Sequence, residues 1–168
     1  MAIAAHRRSL STATRCMTDR RFTLDTNVLV YAIDTAEGEK HRRAKDIVER
    51  AVQADSVLTL QALGEFYVTS QRRRLLPAAD AAAQIGDWVE LFATVAAADT
   101  NVVTAALEAA AKRFSYWDAM MLSTAGSHGC TTLLSEDMAD GATLGGVTVR
   151  NPFRGDRLPD EIEALLTV

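Results

Sequence analysis

Four acidic side chains each stand where a short apolar run hands over to a helical pattern. They are Asp25 in Phe22-Thr-Leu-Asp-Thr-Asn-Val-Leu29, Glu65 in Leu63-Gly-Glu-Phe66, Asp118 in Tyr116-Trp-Asp-Ala119 and Asp137 in Leu133-Leu-Ser-Glu-Asp137. If strands and helices alternate, the carboxyl ends of parallel strands open on one edge of the sheet, and carboxylates far apart in sequence converge there. Converging carboxylates repel one another and call for a cation, and hard oxygen donors suit Mg²⁺ or Mn²⁺. The chemistry such a set would serve is metal-assisted hydrolysis of a phosphate ester.

Each acid also has a purely structural explanation. Asp25 could be a helix N-cap that accepts backbone N–H bonds. Ser115-x-x-Asp118 has capping-box spacing, with the acid near a positive helix end. Asp118, however, shares a helical stripe with Met121, Leu122 and Ala125, which turns its carboxylate inward, where it needs a cation or donors. Glu65 alone would pass for a solvated helix-face glutamate. Asp137 could be a turn-forming residue at a strand end. Glu136 competes with it; Ser135 and Asp137, two apart on leaving a strand, share a face, which favours Asp137.

The elements that must position these groups follow from periodicity. Phe22 to Leu24 reads as a strand and Thr26 to Asp34 as a helix. A second helix covers Glu39 to Gln53, with Ala44, Ile47, Val48 and Ala51 at helical spacing. Ser56 to Leu60 is a strand, followed by a helix from Gln61 to Leu76 that Pro77 stops. Ala79 to Phe92 carries a stripe of Ile85, Trp88, Val89 and Phe92. Thr94 to Ala98 is a weak strand, because alanine is a poor strand former. Thr100 can cap a helix whose inward stripe is Val103, Ala106, Leu107 and Ala110. A helix from Ser115 and strands at Thr131 to Leu134 and Val147 to Val149 complete the pattern. Gly38 and Gly126 read as loop glycines, Trp88 as core, and Trp117 as core or site wall. Alternation of this kind predicts an α/β fold with a parallel sheet covered on both faces.

The 168 residues fit one domain able to close a hydrophobic core. No apolar run approaches the roughly 20 residues needed to cross a bilayer. The net charge of −4 argues against broad electrostatic binding of nucleic acid, so such contact must use local basic clusters. Two are present, His41-Arg42-Arg43 with Lys45, and Arg72-Arg73-Arg74. His6, His41 and His128 form no metal or triad pattern. Cys16 and Cys130, without ligand spacing, point to a reducing compartment. Residues 1–21 hold five arginines and one acid, Asp19. They have the composition of a transit peptide, yet read more simply as a disordered extension, or as sequence ahead of a true start at Met17. Residues 22–168 form the expected domain.

Taken together, Leu24-Asp-Thr-Asn-Val-Leu29, Glu65, Tyr116-Trp-Asp-Ala119 and Leu133-Leu-Ser-Glu-Asp-Met138 resemble a PIN-domain ribonuclease, and within that family the VapC-like toxins of bacterial type II toxin–antitoxin pairs. The resemblance runs from about Arg21 to Asn151-Pro-Phe153. It implies a three-layer α/β/α sandwich around a central parallel sheet of about five strands. It also implies that Asp25, Glu65, Asp118 and Asp137 form a catalytic quartet supported by Asn27 and Ser135. Asp25, Asp118 and Asp137 would hold Mg²⁺, with Mn²⁺ able to substitute, and Glu65 would orient or deprotonate the attacking water. The substrate would be single-stranded RNA, the partners a cognate antitoxin and a second copy of the chain, and the location cytoplasmic. A non-toxin RNA-processing nuclease and an inactive binding module share the resemblance. A haloacid-dehalogenase-type phosphatase fits less well, because Asn27 stands where its second aspartate belongs.

Overall fold

The computed structural model describes residues 20–167. The expectations for the first 19 residues, Cys16 among them, lie outside that range. Its strands are built from aliphatic and β-branched residues: β1 (Phe22–Leu24), β2 (Ser56–Thr59), β3 (Ala93–Val95), β4 (Thr132–Leu134), β5 (Thr143–Leu144) and β6 (Val147–Arg150). Between them run α1 (Thr26–Ile33), α2 (Glu39–Ala51), α3 (Leu60–Arg73), α4 (Ala78–Leu91), α5 (Asp99–Ala110) and α6 (Tyr116–Ser127), with α7 (Asp160–Leu165) at the end. The six strands lie in the order β3-β2-β1-β4-β6-β5. Every neighbouring pair is parallel except β5 with β6. This is the expected three-layer α/β/α architecture, extended by one short antiparallel edge strand.

Every residue of β1 is buried, as a strand covered on both faces requires. The chain runs from β1 outward through β2 to β3, then returns to the other side of β1 as β4. The β1/β4 boundary is therefore the switch point of the sheet, where a crevice opens beyond the strand ends. Register places Leu24 opposite Leu134, so Asp25 and Ser135 leave the sheet side by side. The Asp25 N–H still bonds Leu134 O at 2.9 Å. Phe22, Leu24, Leu29, Ile47, Leu58, Phe66, Leu122, Leu133 and Leu134 fill the core, and Trp88 packs edge-on to Phe66 at 4.7 Å between ring centres.

Several expectations need correction. The predicted stripe of α5 faces solvent: Val103 is 59% and Leu107 65% exposed, while Asn101, Ala105 and Glu108 are buried. The inward face works through polar pairs. Asn101 accepts from the Ala98 N–H (2.8 Å) and donates to Ser127 Oγ (2.8 Å), and Glu108 pairs with Arg113. Ala98, not Thr100, is the N-cap. Helix α3 ends three residues before Leu76, because Arg74 adopts a left-handed conformation (φ 58°) and Leu75 N–H bonds back to Ser70 O. Gly126 lies in the last turn of α6, not in a loop. A Cβ there would meet Gly145 O at 2.4 Å, so the β5–β6 turn packs directly on it. Trp117 is 61% exposed.

Helix α3 is N-capped by Thr59, whose Oγ1 accepts from Ala62 N at 3.1 Å and is shielded from water. Thr59→Ala is expected to cost about 1 kcal/mol. For a domain of this size that lowers the melting temperature by about 2–4 °C, to be read by thermal denaturation.

Candidate active site

Asp25 caps α1: its Oδ1 accepts from Thr26 N at 2.6 Å. Its Oδ2 accepts from Ser135 Oγ (2.6 Å) and Asn27 Nδ2 (2.9 Å). The capping explanation of Asp25 is thus correct, but it uses one oxygen and leaves the second for the loop after β4. Asn27 and Ser135 reach beyond Asp25. Ser135 Oγ also accepts from the N–H groups of Asp137 (3.2 Å) and Met138 (3.3 Å), and Asn27 Oδ1 accepts from Glu136 N (3.4 Å). The 135–138 turn is therefore tied to the first turn of α1.

Glu65 comes from the second turn of α3. Thr26 Oγ1 donates to its Oε2 (3.0 Å), and Gln61 Nε2 donates to its Oε1 (2.9 Å). The same Gln61 nitrogen reaches Trp117 O (3.0 Å), linking α3 to the start of α6. Ser115 caps α6, accepting from Asp118 N at 3.1 Å. On the stripe that Asp118 shares, Met121, Leu122 and Ala125 are buried.

Asp25, Glu65, Asp118 and Asp137 all line one cleft of about 230 Å³, together with Thr26, Tyr31, Arg72 and Arg73. Glu136 does not line it. Its Oε2 accepts from Tyr31 OH and Lys40 Nζ, both at 2.8 Å. Partial burial opposes ionisation of Glu136, but these donors and the Lys40 charge hold its carboxyl below the ordinary range. Glu136 is thus engaged in an ion pair with Lys40, whereas Asp137 lines the cleft.

The carboxylates of Asp118 and Asp137 have no hydrogen-bond or ion-pair partner among the described residues. Burial pushes the Asp25 carboxyl up to about 6; Asp137 and Glu65 add to the shift, while the bonds from Ser135 and Thr26 oppose it. An acid in this setting gains from a cation. Among the described residues no three His, Cys, Asp or Glu side chains are gathered tightly enough to be a finished ligand cage. Mg²⁺ does not demand one, since it is usually held by one or two carboxylates and keeps several waters. Hard oxygen donors, two of them unpartnered, fit such an ion.

The two basic clusters part company. Arg72 and Arg73 line the cleft. The other cluster is spent internally: His41 Nδ1 bonds Tyr31 O, Arg42 pairs with Glu39 and Lys45 with Glu49. Buried Arg43 donates to Pro152 O and Gly155 O. Thr26 and Gln61 escaped the sequence reading. The signal for Gln61 was its i−4 spacing from Glu65, which puts both on one face of α3.

No helix among the described residues is long and apolar enough to cross a membrane. No curated protein sequence matches the chain significantly. One solved structure of the same fold is that of VapBC2 from Rickettsia felis bound to a DNA fragment from their promoter. It aligns with a TM-score of 0.57 at 13% identity, over 78% of this chain and 98% of that one. The PIN domain family model matches residues 22–139, from β1 through the turn that carries Asp137. With that match spanning most of the sheet and all four converging acids, the chain belongs to the PIN domain family, a family of nucleases.

Proposed function

We propose that this protein is a metal-dependent endoribonuclease that cuts single-stranded RNA by hydrolysis. The observation that carries the reading is the meeting of Asp25, Glu65, Asp118 and Asp137 on one cleft, with the carboxylates of Asp118 and Asp137 free of partners among the described residues. Asp25, Asp118 and Asp137 would hold Mg²⁺ or Mn²⁺. Such an ion, when bound, supplies a Lewis acid that offsets charge growing on the scissile phosphate. Glu65, fixed by Thr26 and Gln61, would orient the attacking water and take its proton. Ser135 and Asn27 hold Asp25 and the Asp137 turn in one register.

The biological setting we infer is a toxin held by a cognate antitoxin. Its support is the likeness to the VapC-like sequence pattern and to the fold in the VapBC2 structure. A soluble cytoplasmic protein is in keeping with that setting. Exposed apolar side chains on α3, α4 and α5 (Val68, Leu91, Val103 and Leu107) support pairing with a second copy. Light scattering of the purified chain would test the dimer, and co-purification with a small protein encoded beside it would test the antitoxin.

The decisive experiment is cleavage of pooled RNA with Mg²⁺, Mn²⁺ or EDTA. Cutting that needs the metal is expected. A protein inert at every metal concentration would instead favour a binding module that keeps the acids without using them.

A further inference from the structure

Ten of the fifteen lysines and arginines in residues 20–167 sit in ion pairs. Arg43 is bound to carbonyls, which leaves Arg20, Arg72, Arg74 and Lys112 without a side-chain partner among the described residues. Two of these four border the acids. Arg72 lines the cleft described above. Lys112 lines a second cleft of about 440 Å³, formed by the α5–α6 connection and the turn after Asp137. The two clefts share Asp118 and Asp137 among their lining residues. One unpaired cation therefore stands on each side of the acid pair.

Lys112 also occupies a position that favours glycine. Its φ is 56°, and it follows α5 with Lys112 N–H bonded to Ala109 O and Arg113 N–H to Glu108 O. That pattern ends a helix most comfortably with glycine. Arg74 holds the same position after α3 (φ 58°) but lines neither cleft. A cation at a helix C-terminus suits the dipole, so the backbone position alone says nothing about a ligand. Placement beside the acids is what separates Lys112 from Arg74.

We propose that Arg72 and Lys112 are the two ends of a phosphate track, along which a single RNA strand crosses Asp118 and Asp137. This rests on the nuclease reading and adds the strand's path to it. A polyanion approaching four carboxylates is repelled. Cations already neutralised by protein partners offset little of that repulsion, whereas two unpaired ones flanking the acids can each take a backbone phosphate. Direct pairing of Lys or Arg to phosphate releases counterions, which makes each contact countable from the salt dependence of binding.

The test uses fluorescence anisotropy of a fluorescein-labelled 12-nucleotide oligouridylate, with Mg²⁺ present and Asp118→Asn as the non-cutting background, across a range of KCl. Adding Lys112→Gly or Arg72→Gln should each weaken binding and flatten the plot of log affinity against log salt by about 0.7. Arg74→Gly, which removes the same charge from the same backbone position, should leave the slope unchanged. Lys112→Gly should melt no lower than the background, so weaker binding cannot be unfolding. Lys112→Gln, which keeps the native side-chain bulk on the backbone, should flatten the slope equally.

The track is overturned if the background binds no RNA, if Lys112→Gly keeps the full slope, or if Arg74→Gly flattens it as much. An unchanged RNA slope with a weakened hold on an acidic partner peptide would reassign the two cations to protein recognition and also overturn it. Cleavage by the wild type separates the two levels. If the wild type cuts RNA in a metal-dependent way and Lys112→Gly binds normally, the track fails and the nuclease reading stands. If the wild type cuts nothing, the nuclease reading itself fails.

Discussion

Asp118→Asn is expected to lower RNA cleavage by about a thousandfold or more while the protein melts at the wild-type temperature. The carboxylate has no partner to lose among the described residues, and asparagine has nearly the same shape. Only the charge changes, and on the function proposed above that charge would hold a cation. Charge stabilisation by a bound metal supplies several kcal/mol to a phosphoryl transition state, and each 1.36 kcal/mol is tenfold in rate. Asp25→Asn should fall as far in activity. It will differ structurally, because the new amide nitrogen faces the Asn27 Nδ2 donor that now bonds Asp25. Single-turnover cleavage beside a melting curve separates the two quantities. Near-normal cutting by either well-folded variant would remove these aspartates from the mechanism.

The second large effect concerns Asp25 and pH. Its carboxyl is raised from an ordinary value of 3.8 to about 6 by burial, helped by the charges of Asp137 and Glu65. The folded state therefore binds this proton more tightly than the unfolded chain does. The stability it contributes is complete below pH 3.8 and is lost as pH rises through 6. With 1.36 kcal/mol per unit, the ionised group costs metal-free protein roughly 3 kcal/mol at pH 7.5. Between pH 5 and 7.5 the metal-free wild type should thus lose stability relative to Asp25→Asn. Adding Mg²⁺ at pH 7.5 should restore much of the loss in the wild type and little in the variant. Comparing the pH slopes, rather than absolute stabilities, cancels the hydrogen bond that asparagine cannot make. Parallel denaturation curves for the two proteins at every pH would show that Asp25 carries no such strain.

What could be read in advance depended on whether the pattern reported burial or pairing. Phe22-Thr-Leu and Thr-Leu-Leu134 are short runs of aromatic, aliphatic and β-branched residues, and they form the central strands. The acids following them therefore reached the switch point of the sheet. The stripe on α5 failed for a definite reason: Asn101 and Glu108 face inward because each has a partner, so hydropathy pointed the helix the wrong way. The engagement of Glu136 rests on Tyr31 and Lys40, over ninety residues away in the chain, which no local pattern could show. The basic clusters looked alike as strings of letters. Only the fold shows that His41, Arg42, Arg43 and Lys45 are already occupied, while Arg72 has no side-chain partner among the described residues. Lys112 carries no signal in the sequence, because a lone lysine after a helix is ordinary until its neighbours in space are known.

The pairing of β1 with β4 has a bearing on how the protein is made. Asp25 and Ser135, whose side chains meet at 2.6 Å, are 110 residues apart in the chain. At about 5–20 residues per second, a ribosome needs roughly 5–20 s to synthesise the stretch between them. During that interval β1 can dock only against β2, with its other edge bare and the Asp25 carboxylate without its serine. A growing chain of this kind presents Asp25 first, yet cannot complete the cleft until Ser135 and Asp137 have emerged. On the nuclease reading proposed above, competence would follow only once that turn has folded, which leaves a partner that recognises the earlier helices several seconds in which to bind first.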